Sequence, residues 1–421
     1  MRVAALLFIL MYILMIALPK YRVYYVLSVA VIYVALGILP VSGILPAINW
    51  NVLMMITGTM LVVYYFIESM MPNLIAGKLL TAAGNVMWVT IYMSLFAGVI
   101  SAFIDNVATV LMVAPVGFVI CKKLNISPVP MIISIAVSSN LQGAATLVGD
   151  TTSILLAVHA GMDFSDFFWM HGRPGIFFAV ELGALATVPI MMFLFRKDKY
   201  PVGEGGKVEV KSILPTVLLF GLILLLIIAS FFKNKPALTN GYICLSLGLI
   251  AIVWNLIRGD KAGTVKGALG SIDKETLILL ASLFIVIEGV TRAGIIELLS
   301  KWIVEVGGGN KFLMFTMIVW GSVIISAFVD NIPYVATMLP VLAGVVESLG
   351  VSPELLYFGL LTGATLGGNL TPIGASANIT AVGMLKKNGY NVSFKDFMRI
   401  GVPFTLTAVA VGYLVIWFVW K

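Results

Sequence analysis

The sequence predicts an all-α polytopic membrane protein made of two inverted-topology repeats, with about ten transmembrane helices, two re-entrant hairpins and two broken helices. Three observations predict it. The chain of 421 residues is 61% hydrophobic and only 11% charged, against about 25% charged residues in an average soluble domain. Apolar runs of about 20 residues, enough for one helical crossing, recur along its whole length. The phrase SAFIDNVATVLMVAP at 101–115 returns as SAFVDNIPYVATMLP at 326–340.

No soluble core buries so large an apolar fraction, so the bilayer is the expected solvent. The first apolar run, 3–18, follows a charge as a secretory signal would. It lacks a small-x-small cleavage site and Pro19-Lys20 leads straight into another span, so it reads as a first transmembrane helix. Spans follow near 21–39 and 50–67, then a hairpin over 86–121 interrupted at Asp105, a broken helix over 128–158, and a span near 174–195. The second half gives spans near 212–232, 240–257 and 275–291, a hairpin over 311–348 interrupted at Asp330, a broken helix over 353–385, and a last span over 400–420. The first repeat is thus 1–198 and the second 212–421, joined by a polar linker at 199–211.

The net charge of +7 is scattered over loops, which argues for orientation in a membrane rather than nucleic-acid binding. If each hairpin returns to its own side, one face collects most of the basic residues, among them Lys20, Arg22, Lys122, Lys123, Lys207, Lys261 and Arg399. The other keeps only Arg2, Arg173, Lys233, Lys235, Arg292, Lys301, Lys311 and Lys421. The positive-inside rule then makes the linker cytoplasmic and leaves both termini outside the cytoplasm. Cys121 and Cys244 lie far apart in apolar segments, which fits buried small hydrophobes and neither a disulfide framework nor a metal site.

A shift of 225 residues carries Ser101, Asp105, Asn106 and Pro115 onto Ser326, Asp330, Asn331 and Pro340, and Gly143, Thr146 and Gly149 onto Gly368, Thr371 and Gly374. The chain is a tandem duplication. Each half holds five crossings plus a hairpin, and an odd count makes the second copy enter the membrane from the opposite face. Secondary transporters use such inverted repeats, with a midplane site where the copies meet.

At Asp105-Asn106 and Asp330-Asn331 there is no room for a loop, so each Asp serves as the N-cap of the helix that follows. One arrangement is two full spans joined by a surface turn. The other, favoured by the duplication, is a re-entrant tip that aims a carboxylate into a buried polar chamber shared by both copies. Each hairpin is followed by a helix interrupted by glycine and hydroxyl residues, SSNLQGAATLVGDTTS at 138–153 and TGATLGGNLTPIGASAN at 362–378. Mid-helix glycine and proline free backbone groups that must face protein, water or a ligand. The candidate substrate- and ion-binding residues are therefore Asp105, Asn106, Thr109, Asn140, Gly143, Thr146, Gly149, Asp150, Asp330, Asn331, Gly368, Asn369, Thr371, Gly374, Ser376 and Asn378.

Other polar residues read as structural. Glu288 and Arg292 are spaced as an i,i+4 pair, and Glu181 lies within reach of Arg173. His159 and His171 lack metal-ligand spacing. Trp50, Trp88, Trp302 and Trp420 fit an interfacial belt.

DNIPYVATMLPVL and LGGNLTPIGASANITAVGMLKKNGYNVSFKDFMRIGVPF resemble the ion transporter superfamily, in particular its branch of arsenite pumps, NhaD-type sodium/proton antiporters and the melanosomal P protein, with a citrate transporter-like domain. The first-half phrase TLVGDTTS departs from that pattern, with Thr151, Thr152 and Ser153 where Pro, Pro and Asn are usual. The resemblance implies hairpin tips at Asp105-Asn106 and Asp330-Asn331, an elevator-type mechanism, a homodimer and, for an arsenite pump, a soluble ATPase subunit. No cofactor is implied beyond a bound sodium ion or proton.

The resulting expectation is a secondary active transporter of the plasma or inner membrane, not an enzyme. Asp105, Asp330 and Asp150 would bind a proton or cation coupled to efflux of arsenite, antimonite or a similar small solute; sodium/proton antiport and sodium-coupled anion carriage are the rivals. No Lys or Arg lies in the four site motifs, which argues against uncoupled anion carriage. A membrane aspartyl protease would also need two aspartates, but Val148-Gly149-Asp150 only faintly echoes its GxGD motif and the YD and PAL motifs are missing.

Overall fold

In a computed structural model, which describes residues 1–202, 208–232, 234–259 and 262–421, the chain is a bundle of helices with one two-stranded ribbon, Trp169–Met170 against Arg173–Pro174. The expected linker is therefore only partly described, and Lys207, Lys233 and Lys261 lie outside the described residues. Among those described, six helices are long and apolar enough to cross a bilayer: Trp50–Glu68, Asn106–Lys123, Ile176–Leu194, Thr239–Ile257, Asn331–Leu349 and Phe394–Trp420. Arg2–Ala17, Leu214–Ser230 and the two outer hairpin helices are apolar but shorter. Large hydrophobic side chains stand outward along the bundle, Leu6, Ile9, Val31, Phe220, Leu224 and Val253 among them. A surface of this kind is stable against lipid rather than water.

The 225-residue shift is visible in the fold. The first hairpin pairs Val86–Ser101 with Asn106–Lys123, and the second pairs Lys311–Ser326 with Asn331–Leu349. The outer helices start at equivalent caps: Asn85 Oδ1 accepts from Trp88 N (3.1 Å) and Asn310 Oδ1 from Leu313 N (3.0 Å). Trp50–Glu68 packs against Thr239–Ile257 and, reciprocally, Arg22–Ala35 against Lys274–Arg292. Each inner hairpin helix likewise touches the second piece of the other half's broken helix. Reciprocal contacts of this sort are what a two-fold relation between copies produces.

Two helices were not legible as spans. Met71–Ala82 follows Trp50–Glu68 after a break at 69–70, and Ile295–Gly307 follows Lys274–Arg292 after a bend of 73°. The hinge is left-handed in both halves, at Met70 (φ 64°) and Gly294 (φ 73°). The last helix begins at Phe394 rather than 400, because Ser393 and Asp396 form a capping box there.

Two structural expectations are corrected. Arg173 does not reach Glu181; its Nη1 donates to the Val419 carbonyl (2.9 Å) and its guanidinium lies over the Trp420 ring, and Glu181 forms no ion pair among the described residues. Trp420 is buried rather than part of an exposed belt, its indole N–H bonded to the Pro174 carbonyl (3.1 Å). The Glu288–Arg292 pair is formed at 2.7 Å, both cysteines are free and buried, and His171 faces buried Glu354 at 3.2 Å.

Candidate transport site

The polar residues of the broken helices are positioned by the breaks themselves. The first runs Val129–Gly143 and resumes as Thr151–Ala160; the second runs Pro353–Leu361, passes through a wide turn over Thr362–Leu366, and resumes as Ser376–Lys387. The freed backbone is satisfied in matching ways. Thr146 Oγ1 donates to the Ala102 carbonyl and Thr371 Oγ1 to the Ala327 carbonyl, closing the end of each outer hairpin helix. Ser153 Oγ donates to the Gly143 carbonyl (3.3 Å), and at the equivalent position Asn378 Nδ2 donates to the Gly368 carbonyl (3.2 Å). The departure from the family pattern at Ser153 therefore keeps the bond.

Glycine is required where the break meets the hairpin. A Cβ on Gly149 would stand 2.6 Å from the carbonyl oxygens of Gly143 and Ser101, and one on Gly374 would stand 2.5 Å from Gly368 O and 2.6 Å from Ser326 O. These obstacles are backbone, which cannot swing away.

Between the two tips runs a continuous chain of buried hydrogen bonds. Asn106 Nδ2 donates to Asn140 Oδ1 (3.0 Å), and Asn140 Nδ2 donates to the Thr365 carbonyl (2.7 Å) and to Asn369 Oδ1 (3.1 Å). Asn369 Nδ2 returns to the Val137 carbonyl (2.8 Å). Thr365 and Thr152 share a hydroxyl bond (3.0 Å), Thr152 donates to Asp150 Oδ2 (2.9 Å), and Asn331 of the second tip donates to that same oxygen (3.3 Å). Every side chain in this chain is buried. The structure thus brings together Asn106, Asn140, Asp150, Asn331, Asn369 and Asn378. Thr109 stays apart, its hydroxyl directed at the Ile104 carbonyl (3.5 Å). Thr152 and Thr365 lie in the two broken-helix motifs and join the seam through their hydroxyls.

Rather than facing each other across one chamber, Asp105 and Asp330 line different cavities. Asp105 Oδ1 accepts from Val107 N (3.0 Å) and Ala108 N (3.1 Å). It borders a cavity of about 360 Å³ whose other charged lining residue is Asp273. Asp105, Asp150 and Thr151 also line a common gap of about 10 Å³, and a space of that size holds about one water-sized particle. Neither Asp105 nor Asp150 has a cationic partner among the described residues.

Asp330 is differently placed. Its Oδ1 accepts only from Ile332 N (3.1 Å), because the next residue, Pro333, stands where the first half has Ala108 and carries no N–H. Its Oδ2 pairs with Arg22 Nη1 and accepts from Ser376 Oγ (2.9 Å), and Arg22 Nη2 donates to that same hydroxyl (3.2 Å). A cavity of about 560 Å³ opens here, lined by Lys20, Arg22, Glu275 and Asp330. In the sequence Arg22 is one of several loop charges. Its partner is 308 residues away, and the only signal for it was the general rule that a buried carboxylate needs compensation.

A lipid-facing helical bundle with two broken helices joined by a buried polar seam defines a membrane transporter. The chain belongs to the citrate transporter family, CitMHS, whose model matches residues 10–363 and again 243–421. Among its relatives, the transporter Rv2684 of Mycobacterium tuberculosis is 31% identical over 389 residues, covering 88% of this chain and 86% of its own. The human P protein is 28% identical over 450 residues, covering 87% of this chain and 53% of that protein. The YdaH transporter of Alcanivorax borkumensis shares the fold, with a TM-score of 0.60 at 12% identity over 89% of this chain and 86% of that one.

Proposed function

We propose that the chain is a secondary active transporter in which Asp105 and Asp150 take up a monovalent cation, a proton or sodium ion, whose movement drives a small solute across the membrane by an elevator-type displacement. The observation that carries this reading is the pair of carboxylates, uncompensated among the described residues, that line one small gap beside the hydrogen-bonded seam. Buried carboxylates without a counter-charge are costly and bind a proton or metal cation readily. Arsenite or antimonite is the solute we place first. An uncharged trihydroxide is suited to a lining of Asp, Asn, Thr and freed backbone, and the guanidinium of Arg22 is already occupied by Asp330. Exchange of sodium for protons at the same carboxylates is the alternative. A tricarboxylate such as citrate is a further reading, favoured by the family's description and by Arg22 at the mouth of the second cavity, provided that Arg22 exchanges Asp330 for the substrate.

The charge bias of the loops supports termini outside the cytoplasm, and the resemblance to the ion transporter superfamily supports a homodimer. Proteoliposomes given a sodium or proton gradient and, in separate arms, arsenite, citrate or no solute test the reading. Arsenite flux that follows the gradient is the expected result. Gradient-driven citrate flux would move the assignment to carboxylates, sodium-dependent pH change with neither solute would move it to antiport, and flux indifferent to any gradient would replace it with a passive channel.

A further inference from the structure

The two tips carry the same Asp-Asn pair and differ in what meets the carboxylate. At the first tip the neighbours are acids: Asp273 lines the same cavity as Asp105, and Asp150 lines the small gap with it. In the second half the position equivalent to Asp150 is Ala375, and the carboxylate is met by Arg22 and Ser376. The second cavity balances Lys20 and Arg22 against Glu275 and Asp330. An acid-lined cleft attracts cations and a neutral one does not.

We infer that Arg22 is a built-in counter-ion that occupies, at the second tip, the place a transported cation takes at the first, so that the protein binds a single exchangeable cation on the Asp105 side. The geometry carries this directly. Arg22 enters from the start of its own helix, Arg22–Ala35, outside both site motifs, and its two terminal nitrogens engage Asp330 Oδ2 and Ser376 Oγ. Pro333 leaves Asp330 one backbone donor short and so dependent on that partner. Arg22 is side-chain exposed by only 20% and Asp330 by 7%, so the pair is sheltered enough for removal of the guanidinium to leave a carboxylate in need of a cation. The inference rests on the cation-coupled reading above and adds the number and place of the cation.

The test is charge displacement in proteoliposomes of the full chain on a solid-supported membrane, triggered by a sodium jump in one arm and a pH jump in the other. Unmodified protein should bind one cation per chain by radioactive sodium counting or proton uptake; two would overturn the inference without any variant. Arg22→Gln should raise the displaced charge roughly twofold, since a second carboxylate then needs neutralising, and adding Asp330→Asn to it should remove the gain. An Arg22→Gln protein that assembles and displaces no more charge than the parent would overturn the inference. Asp105→Asn separates the two levels: a full wild-type signal in that variant would sink the cation-coupled reading itself, whereas its loss together with an unchanged Arg22→Gln signal would sink only the role of Arg22.

Discussion

The hairpin tips at Asp105 and Asp330 are copies of one design that have been put to different electrostatic ends. Their backbone frames agree closely: matching asparagine caps open the outer helices, matching threonines close them, and Gly149 and Gly374 are confined by equivalent carbonyls. The side chains around the carboxylates do not agree. Ala108 against Pro333, and Asp150 against Ala375, make one tip acidic and the other self-neutralised by Arg22. A duplicated scaffold thus preserves what the backbone requires, while the charge around each tip has diverged.

If that division is right, substitutions should separate the halves. The largest effect is expected at the acidic tip, where Asp105→Asn and Asp150→Asn should each lower cation-dependent transport by about 100-fold or more, the scale of losing an essential ionisable group. Gradient-driven flux in proteoliposomes measures it, and near-normal flux in either variant would break the comparison. Next come the glycines, where both halves should respond alike. Gly149→Ala and Gly374→Ala each force a Cβ onto backbone oxygen, which should cost about 3 kcal/mol. Thermal unfolding in detergent reads this, and a large asymmetry between the two would show that the frames are not equivalent after all.

A third effect should favour the other tip. Asp330→Asn leaves Arg22 without its partner and should destabilise the fold by about 2 kcal/mol, whereas Asp105→Asn removes no ion pair and should cost under about 1 kcal/mol. Equal losses in the same unfolding assay would contradict the assignment of the salt bridge. The smallest effect lies at the hinges. Gly294→Ala puts a side chain on a left-handed residue and should cost about 1 kcal/mol. Met70 already bears that strain at φ 64°, so Met70→Gly should be neutral or slightly stabilising; a clear loss there would mean that the methionine side chain holds the bend.

Much of this architecture was legible in the sequence because it is written locally or at a fixed offset. The hairpins begin at Val86 and Lys311, as the repeat implies, and the broken helices fall where glycine and proline interrupt apolar text. Asn140, Asp150 and Asn369 could be singled out because polar side chains in such text must find one another. What could not be read was the consequence of folding distant segments together. Arg22 follows Pro19 and Lys20 in an ordinary basic turn, and nothing near it names a carboxylate three hundred positions later. Met71–Ala82 and Ile295–Gly307 escaped because their polar and apolar residues are mixed, which weakens a hydropathy signal. The identical Asp-Asn text at both tips also concealed their difference, which is decided by neighbours such as Pro333 that matter only through a missing amide hydrogen.

The asparagine and threonine bonds that cross from one half to the other, Asn140 to Asn369 and Thr152 to Thr365, limit how this molecule can move. Neither broken helix can part from the other without tearing stitches buried away from water, where no solvent replaces a lost bond. If the chain carries a solute as proposed, the two broken helices are expected to move as one block past the flanking helices, as a drawer does on its runners.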